Sequence, residues 1–150
     1  MATRIELPDN QWVDILDPLV VSEGKRRPAA KMWMKIGKHP YSQALARIKR
    51  DLDSASPAKR ETAEAKALSD QQALEVPDDY LDLLEQLNDE VALCRISAWS
   101  FEQAIDLENL LALPSATYKI IREETAKGSI ALLPNFNQQG PDSPQSPSTN

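Results

Sequence analysis

The sequence predicts a mainly α-helical fold with a short N-terminal β-hairpin (α+β) and a disordered C-terminal tail. Apolar and polar residues alternate within the first sixteen residues, which is typical of strands with one buried face. Apolar residues then recur at helical spacing along most of the chain. The last segment is rich in Pro, Ser, Gln and Asn and cannot offset the entropy of ordering. We therefore divide the chain into a hairpin (1–19), a small helical domain (20–133) and a disordered tail (134–150).

The predicted hairpin has two strands joined by Pro8-Asp9-Asn10, three residues typical of turns. Val13 and Ile15 share one face of the second strand, which Asp17-Pro18 ends. Because an isolated hairpin is marginally stable in water, we expect a helix or another subunit to cover its apolar face.

Two helices are expected in the following basic stretch. Pro28 fits the first turn of a helix that runs to about Ile36 and is ended by Gly37 and Pro40. The second helix, 41–52, is amphipathic, and its apolar stripe consists of Tyr41, Leu45, Ile48 and Leu52.

Two longer helices come next. Ser56-Pro57 reads as an N-cap followed by proline at the first helical position. Residues 58–75 have high helical propensity but offer mostly alanine for burial, so we expect an exposed helix. Residues 78–98 form the strongest amphipathic pattern and are expected to be the central core helix, with a stripe of Leu81, Leu84, Leu87 or Asn88, Val91 and Ile96.

Two short helices are expected before the tail. A link at Trp99-Ser100-Phe101 leads to a helix over 107–111, which Pro114 breaks. Ser115 is expected to cap a last helix over 116–127, and Gly128 is a favourable left-handed stop.

Composition excludes most catalytic and cofactor chemistry. The chain has 150 residues, four separated glycines, one histidine and one cysteine. It therefore lacks a glycine-rich phosphate loop, a zinc ligand set and a disulfide framework. We predict a non-catalytic protein without cofactor or metal, with no membrane span and no signal peptide. His39 is expected in a surface loop, Cys94 as a buried free thiol, and the acidic residues from Asp78 to Glu90 on a solvated helix face.

Charge is distributed unevenly along the chain. The net charge is −6, yet residues 24–50 contain nine basic residues and no acidic one. From residue 76 onward, the chain contains four basic and twelve acidic residues. Basic residues with Trp33 and Tyr41 among them could form a nucleic-acid site, but the overall acidic charge counts against it. The alternative is that the basic face balances the acidic half of the same molecule.

The order of short motifs resembles the tail assembly chaperones of long-tailed (siphovirus-type) bacteriophages. ELPDNQWVDILDP is similar to that family's opening and is followed, as there, by KRRP. ISAWSF, LENLLALPSATYKIIREET and the closing PNFNQQGPDSPQSPSTN resemble the family's later features, so the resemblance covers nearly the whole chain. Asn10 stands where the family usually has glycine, and it tolerates the same left-handed backbone.

The resemblance implies a non-catalytic assembly protein of the host cytoplasm that binds the tape measure protein and helps recruit tail tube protein. Such chaperones are generally absent from the mature virion. Self-association is left open, and so is a longer frameshifted product. The rival hypotheses are a structural virion protein of the neck or tail-completion type and a small nucleic-acid-binding regulator. The candidate partner-binding residues are Trp12, Trp33, Trp99, Phe101, Arg26, Arg27 and Lys31. For the four aromatic residues, the alternative is that they pack in the core.

Overall fold

A computed structural model describes residues 1–134, and residues 135–150 of the predicted tail lie outside it. The mainly helical fold with an N-terminal hairpin is confirmed. The strands are β1 (Ala2–Leu7), β2 (Gln11–Leu16) and β3 (Ile96–Trp99). The helices are α1 (Glu23–Lys38), α2 (Pro40–Asp53), α3 (Arg60–Ala73), α4 (Asp78–Arg95), α5 (Leu107–Leu111) and α6 (Ser115–Ala126).

The hairpin forms where the sequence predicts it. Leu7 pairs with Gln11 across the turn, and Asp9 and Asn10 adopt left-handed backbone conformations with φ of 62° and 61°. Asn and Asp are the residues that accept this conformation at least cost after glycine. Val13 and Ile15 point into the core, as their alternation predicts.

A third strand replaces the expected last turn of the central helix. The expected helix over 78–98 stops at Arg95, and β3 pairs antiparallel with β2 to give the sheet order β1-β2-β3. Ile96 and Trp99 are buried in this arrangement. Isoleucine and tryptophan favour strands, and the open edge of β2 offers unpaired backbone groups, so the sheet outcompetes one more helical turn.

One core lies beneath the sheet, and we call it the sheet core. Helices α4, α5 and α6 cover the apolar face of the sheet, which confirms that the hairpin packs on helices. The fully or nearly fully buried residues of the sheet core are Leu7, Val13, Ile15, Ala92, Ile96, Trp99, Leu110 and Ile121.

A second core, the helical core, lies between α1 and α4. Its buried members are Ala29, Ile36, Leu87, Val91, Cys94 and Leu132. Because α4 contributes to both cores, its expected central position is confirmed. Leu81, by contrast, was expected in the buried stripe and is 47% exposed. It precedes the part of α4 that the two cores enclose.

Helix α1 begins five residues before the predicted start. Ser22 is its N-cap and accepts a hydrogen bond from the Lys25 N–H at 3.4 Å. Pro28 therefore lies inside the helix rather than in its first turn. Proline removes one N–H and crowds the carbonyl four residues earlier, here that of Gly24. Both residues are exposed, so water can reach the carbonyl that loses its helical donor.

Helices α2 and α3 form an antiparallel pair that we call the arm. Neither helix has a buried residue, which confirms the expected exposure of α3. A short 3-10 turn, Pro57–Lys59, joins them, and the Ser56 side chain makes no capping hydrogen bond. The arm is therefore the part of the described chain with the least buried apolar surface.

Asp89 contradicts the expectation of a fully solvated acidic face on α4. It is 8% exposed, and the Tyr118 hydroxyl on α6 donates a hydrogen bond to its Oδ1. Burial raises the pKa of Asp89, and burial together with this carboxylate raises the pKa of Tyr118 to about 12. The other acidic residues named from this run, Asp78, Asp79, Asp82, Glu85 and Glu90, are exposed or half-buried, as predicted.

Candidate functional site: an apolar groove between three helices

An open apolar groove lies where the C-terminal half of α1 meets the N-terminal halves of α2 and α4. Its volume is about 430 Å³, which falls in the range of small-ligand and side-chain pockets. It is lined by Trp33, Met34, Ile36, Gly37, Lys38, Ser42, Ala46, Tyr80 and Leu84. We call it the main groove.

His39 holds together the three helices that form the main groove. Its Nδ1 accepts a hydrogen bond from the Tyr41 N–H at 3.0 Å, which caps α2. This leaves the proton on Nε2, which donates to Asp79 Oδ2 of α4 at 3.0 Å. His39 lies between α1 and α2, as expected, but its side chain is only 11% exposed and does not face solvent as a surface-loop side chain would.

Tyr80 forms the floor of the groove and connects α4 to α2. The His39 ring meets it edge-on at 5.1 Å between centroids, and the Tyr41 ring lies 4.7 Å away. The Ser42 hydroxyl donates a hydrogen bond to the Tyr80 hydroxyl oxygen at 3.2 Å. These contacts fix the spacing of the helices, so the groove is largely preformed.

Trp33, one of the candidate partner-binding residues, forms one wall of the main groove. Its ring is half-buried at the edge of the helical core. Its indole N–H donates a hydrogen bond to the carbonyl oxygen of Pro134 at 2.9 Å. The last described residue of the chain is therefore fastened at the rim of the groove, although the sequence assigns it to the tail.

A second depression, between α2 and α3, continues the apolar surface along the arm. It has a volume of about 350 Å³ and shares Ala46 with the main groove. Its lining residues are Leu45, Ala46, Ile48, Lys49, Leu52, Ala67 and Gln71. From Ser42 to Leu52, the side of α2 that lines the two depressions extends for about 15 Å, which equals almost three helical turns.

Positive charge runs along α1 beside the main groove. Arg27, Lys31, Lys35 and Lys38 are spaced so that they share one helix face, and all four are exposed. We call them the basic stripe. Lys38 also lines the main groove. The stripe covers about 16 Å of the helix.

Glu23 neutralises part of the predicted basic patch. Arg26 Nη2 lies 2.8 Å and Arg27 Nε lies 3.2 Å from its carboxylate. The hydrogen bonds from Arg26 and Arg27 lower the pKa of Glu23 to about 2. Arg26 also donates to the carbonyl oxygen of Leu132 at 3.0 Å. It therefore serves the fold of the described chain, whereas Lys31 faces solvent.

The remaining candidate residues lie away from the groove. Trp12 is on the outer face of the sheet, where the Arg4 guanidinium stacks 3.6 Å from its ring and pairs with Asp14 at 2.8 Å. Trp99 is 8% exposed, and Phe101 packs edge-on against it at 5.3 Å. For Trp99, core packing is therefore the correct interpretation. Four of the seven candidates lie on α1, namely Arg26, Arg27, Lys31 and Trp33, and the other three, Trp12, Trp99 and Phe101, lie elsewhere.

Small residues in α1 and α2 mark the position of the groove, and the sequence analysis did not use them. The aromatic positions attracted attention, but Gly37, Ser42 and Ala46 are what leave room between the helices. Tyr80 of α4 lines the same groove. A search for small residues facing aromatic ones on adjacent helices would have pointed to this place.

The lining of the main groove is mainly apolar. Among residues 1–134, no group of three or more His, Cys, Asp or Glu side chains is placed to hold a metal ion. Cys94 is buried, as predicted, and burial raises the pKa of its thiol, which keeps it protonated and unreactive. His39, the single histidine, uses both ring nitrogens in structural contacts.

Comparison with known proteins found no matching family model, no matching curated protein and no matching solved structure. In the described part of the chain, no helix combines the length and the apolar character required to cross a membrane. The main groove, the basic stripe and the sequence resemblance are therefore the features that bear on function.

Proposed function

We propose that this protein is a non-catalytic phage tail assembly chaperone that binds an amphipathic helix of the tape measure protein. The observation that carries the proposal is the main groove, an open apolar surface between helices α1, α2 and α4. Grooves of this kind accept the apolar face of a partner helix. The sequence resemblance supplies the identity of the client and adds tail tube protein as a second partner.

The chemistry around the groove specifies the client helix. The two depressions that meet at Ala46 suit an apolar stripe of almost three turns. The basic stripe next to the main groove favours acidic residues along one edge of the client stripe. The client segment is therefore an amphipathic helix whose apolar residues are flanked by Asp or Glu.

The expected affinity suits a reversible chaperone. Burying each large apolar client side chain contributes about 1.5–3 kcal/mol. Association costs at least about 4 kcal/mol in lost freedom, so three such side chains leave modest net binding. Modest binding keeps the client from aggregating and still allows its release into the growing tail, which agrees with a chaperone absent from the finished particle.

Co-expression with a tape measure protein tests the proposal. The full chain should raise the soluble fraction of this client. Ala46→Glu places a charge where the two depressions meet and should abolish the gain. Gln43→Glu adds the same charge at an exposed position of α2 outside both linings, so it is the matched control and should keep the gain. If the client is equally insoluble with and without the chain, the proposal fails.

Two further measurements separate the rival functions. Mass spectrometry of purified virions should find no abundant peptides of this chain, whereas a neck or tail-completion protein would be abundant there. Retention on DNA at physiological salt should be absent. Retention that disappears when Arg26, Arg27 and Lys31 are replaced by alanine would replace the chaperone with a nucleic-acid-binding regulator.

A further inference from the structure

The two edges of the sheet differ in regularity. Strand β1 forms one edge and pairs with β2 over six consecutive residue pairs without a bulge. Strand β3 forms the other edge, has four residues, and its register against β2 shifts between Asp14 and Ile15. A long, regular edge strand is a template for pairing with another strand, whereas a short or bulged edge is protected from it. In the described chain, β1 is therefore the edge suited to an additional strand.

The backbone of β1 directs every second residue toward the open edge. The Asp17 N–H donates to the Met1 carbonyl oxygen at 3.1 Å, so Met1 turns this oxygen toward β2. Because the direction alternates along a strand, the odd-numbered residues of β1 face β2 and the even-numbered ones face away from it. Ala2, Arg4 and Glu6 thus offer their N–H and C=O groups at the edge, and all three residues are exposed.

The side chains at this edge are complementary to those of a second copy of the chain. Arg4 and Glu6 flank Ile5. When two β1 strands pair antiparallel with Ile5 opposite Ile5, each Arg4 stands directly opposite Glu6 of the second copy. The two nearest registers that keep the edge-facing backbone groups aligned put Arg4 opposite Arg4 or Glu6 opposite Glu6. Opposite charges directly across a strand pair are favourable and like charges are unfavourable, so charge selects the register centred on Ile5.

Arg4 is already held in position for this pairing. Its guanidinium group donates to both carboxylate oxygens of Asp14, at 2.8 and 3.1 Å, and stacks 3.6 Å from the centroid of the Trp12 ring. The pairing would place the guanidinium between Asp14 and Glu6 of the second copy. A side chain that is fixed before association loses less conformational entropy on binding.

The inner face of β1 leaves room for a second copy. Ile5 is half-buried at the margin of the sheet core. Together with Thr3 and Ile15, it lines an open depression of about 240 Å³. The helices beneath the sheet therefore leave part of the β1 face uncovered. With Ile5 on a two-fold axis, the two Ile5 side chains meet there and extend the apolar contact from one sheet core to the other.

We propose that two copies of this chain pair antiparallel through their β1 edges, with Ile5 on the two-fold axis, and form one continuous six-stranded sheet. Both copies present the same patch, which is the arrangement of a two-fold symmetric dimer. The partner is a second copy because Arg4, Ile5 and Glu6 are complementary to themselves in the reverse direction. The pairing does not depend on the proposed function, since no residue of β1 lines the main groove.

Sedimentation equilibrium of the full chain, from low to high micromolar concentration, tests the pairing. The wild-type chain should form a dimer. Glu6→Lys and Arg4→Glu each put like charges opposite one another at both pairs and should weaken the dimer by at least about tenfold. An equimolar mixture of the two variants should recover it, because every pair then joins opposite charges again. Glu102→Lys makes the same charge change at an exposed position after β3 and should dimerise like the wild type.

Two results of this experiment would overturn the proposal. A wild-type chain that stays monomeric at every concentration would leave the β1 edge to a strand of another protein. A Glu6→Lys dimer as tight as that of the wild type would place the contact elsewhere on the molecule.

Amide hydrogen exchange of the wild-type chain reports the backbone pairing even if a charge variant does not fold. The Arg4 and Glu6 amides should exchange at least about tenfold more slowly at high than at low protein concentration, because they bond to the second copy in the dimer. The Thr3 and Ile5 amides face β2 and should exchange slowly at both concentrations. Rapid exchange of the Arg4 and Glu6 amides in a dimeric sample would exclude β1 as the contact.

Discussion

The sheet core and the arm differ in how much each buries, although both are built from short elements. In the sheet core, Val13, Leu110 and Ile121 have no exposed surface, and residues distant in sequence meet there. In the arm, α2 and α3 have amphipathic or alanine-rich sequences but no buried residue. The stability of the molecule is therefore concentrated at the sheet end.

The main groove lies at the boundary between these two regions. One wall belongs to α1 and α4, which are anchored in the helical core, and the other belongs to α2 of the arm. Elements with few buried contacts open at low free-energy cost. In the proposed function, a rigid wall that faces a more movable wall would accommodate client helices whose side chains vary in size.

The largest expected difference in the free energy of unfolding is between two apolar truncations, one in the sheet core and one in the arm. Ile121→Ala should lower the free energy of unfolding by about 2–5 kcal/mol, because it empties a fully buried position of the sheet core. Leu68→Ala in α3, where the side chain is 57% exposed, should change it by less than about 0.5 kcal/mol. Urea unfolding followed by circular dichroism measures both. Losses of similar size would contradict the proposed concentration of stability.

A smaller loss is expected when Arg95 at the end of α4 is removed. This residue is 6% exposed and donates to the carbonyl oxygens of Leu16 at 2.9 Å and Thr125 at 2.6 Å. It thereby joins β2, α4 and the C-terminal end of α6, where positive charge is favourable. Arg95→Met should cost about 2–3 kcal/mol, since buried carbonyls lose their donor.

Arg122→Met is the matched control for this change, measured in the same unfolding experiment. Arg122 makes a partly exposed ion pair with Glu85 at 3.2 Å, which is worth at most about 1 kcal/mol. Equal losses for the two arginines would show that Arg95 is not a junction of the fold.

The smallest expected effect is a pH dependence at Asp89. Burial raises its pKa above the ordinary value of 3.8, against the opposing hydrogen bond from Tyr118, with Glu85 and Arg122 nearby. The folded state therefore binds this proton more tightly than the unfolded state. Its contribution to stability is greatest below pH 3.8 and is lost as the pH rises through the folded-state pKa.

Asp89→Asn should remove the loss of stability that accompanies rising pH, because the amide oxygen still accepts a hydrogen bond from Tyr118 and no charge is buried. Unfolding free energies between pH 3 and 7 should show the variant gaining on the wild type as the pH rises. Asp82→Asn, on an exposed part of the same helix, controls for the removal of one acidic charge. The same slope in both variants would show that the burial of Asp89 does not govern the effect.

Local signals predicted much of the fold. The helix 107–111 has the predicted bounds, and Gly128, two residues after the end of α6, has a left-handed φ of 72°. Each depends on residues close in sequence. The candidate site was predicted less well, since Trp33 was named for its ring, while His39 and Tyr80 became part of the site through contacts between helices.

Strand β3 shows why the rest could not be predicted. Residues 96–98 continue the predicted helix, and the strand preference of Ile96 and Trp99 does not by itself decide against one more helical turn. The decision came from the open edge of β2, about eighty residues earlier in the chain. Asp89 is a similar case, because its burial depends on Tyr118 of another helix.

The sequence by itself determined the turn at Asp9-Asn10, the periodicity of the helices, the exposure of α3 and the presence of only one histidine and one cysteine. These features depend on backbone preference and composition, which are local properties of each segment. Tertiary structure alone decided the third strand, the buried Asp89 and the groove between α1, α2 and α4. Each of these features arises from packing between segments that are distant in sequence. The free energy of that packing cannot be read from either segment alone.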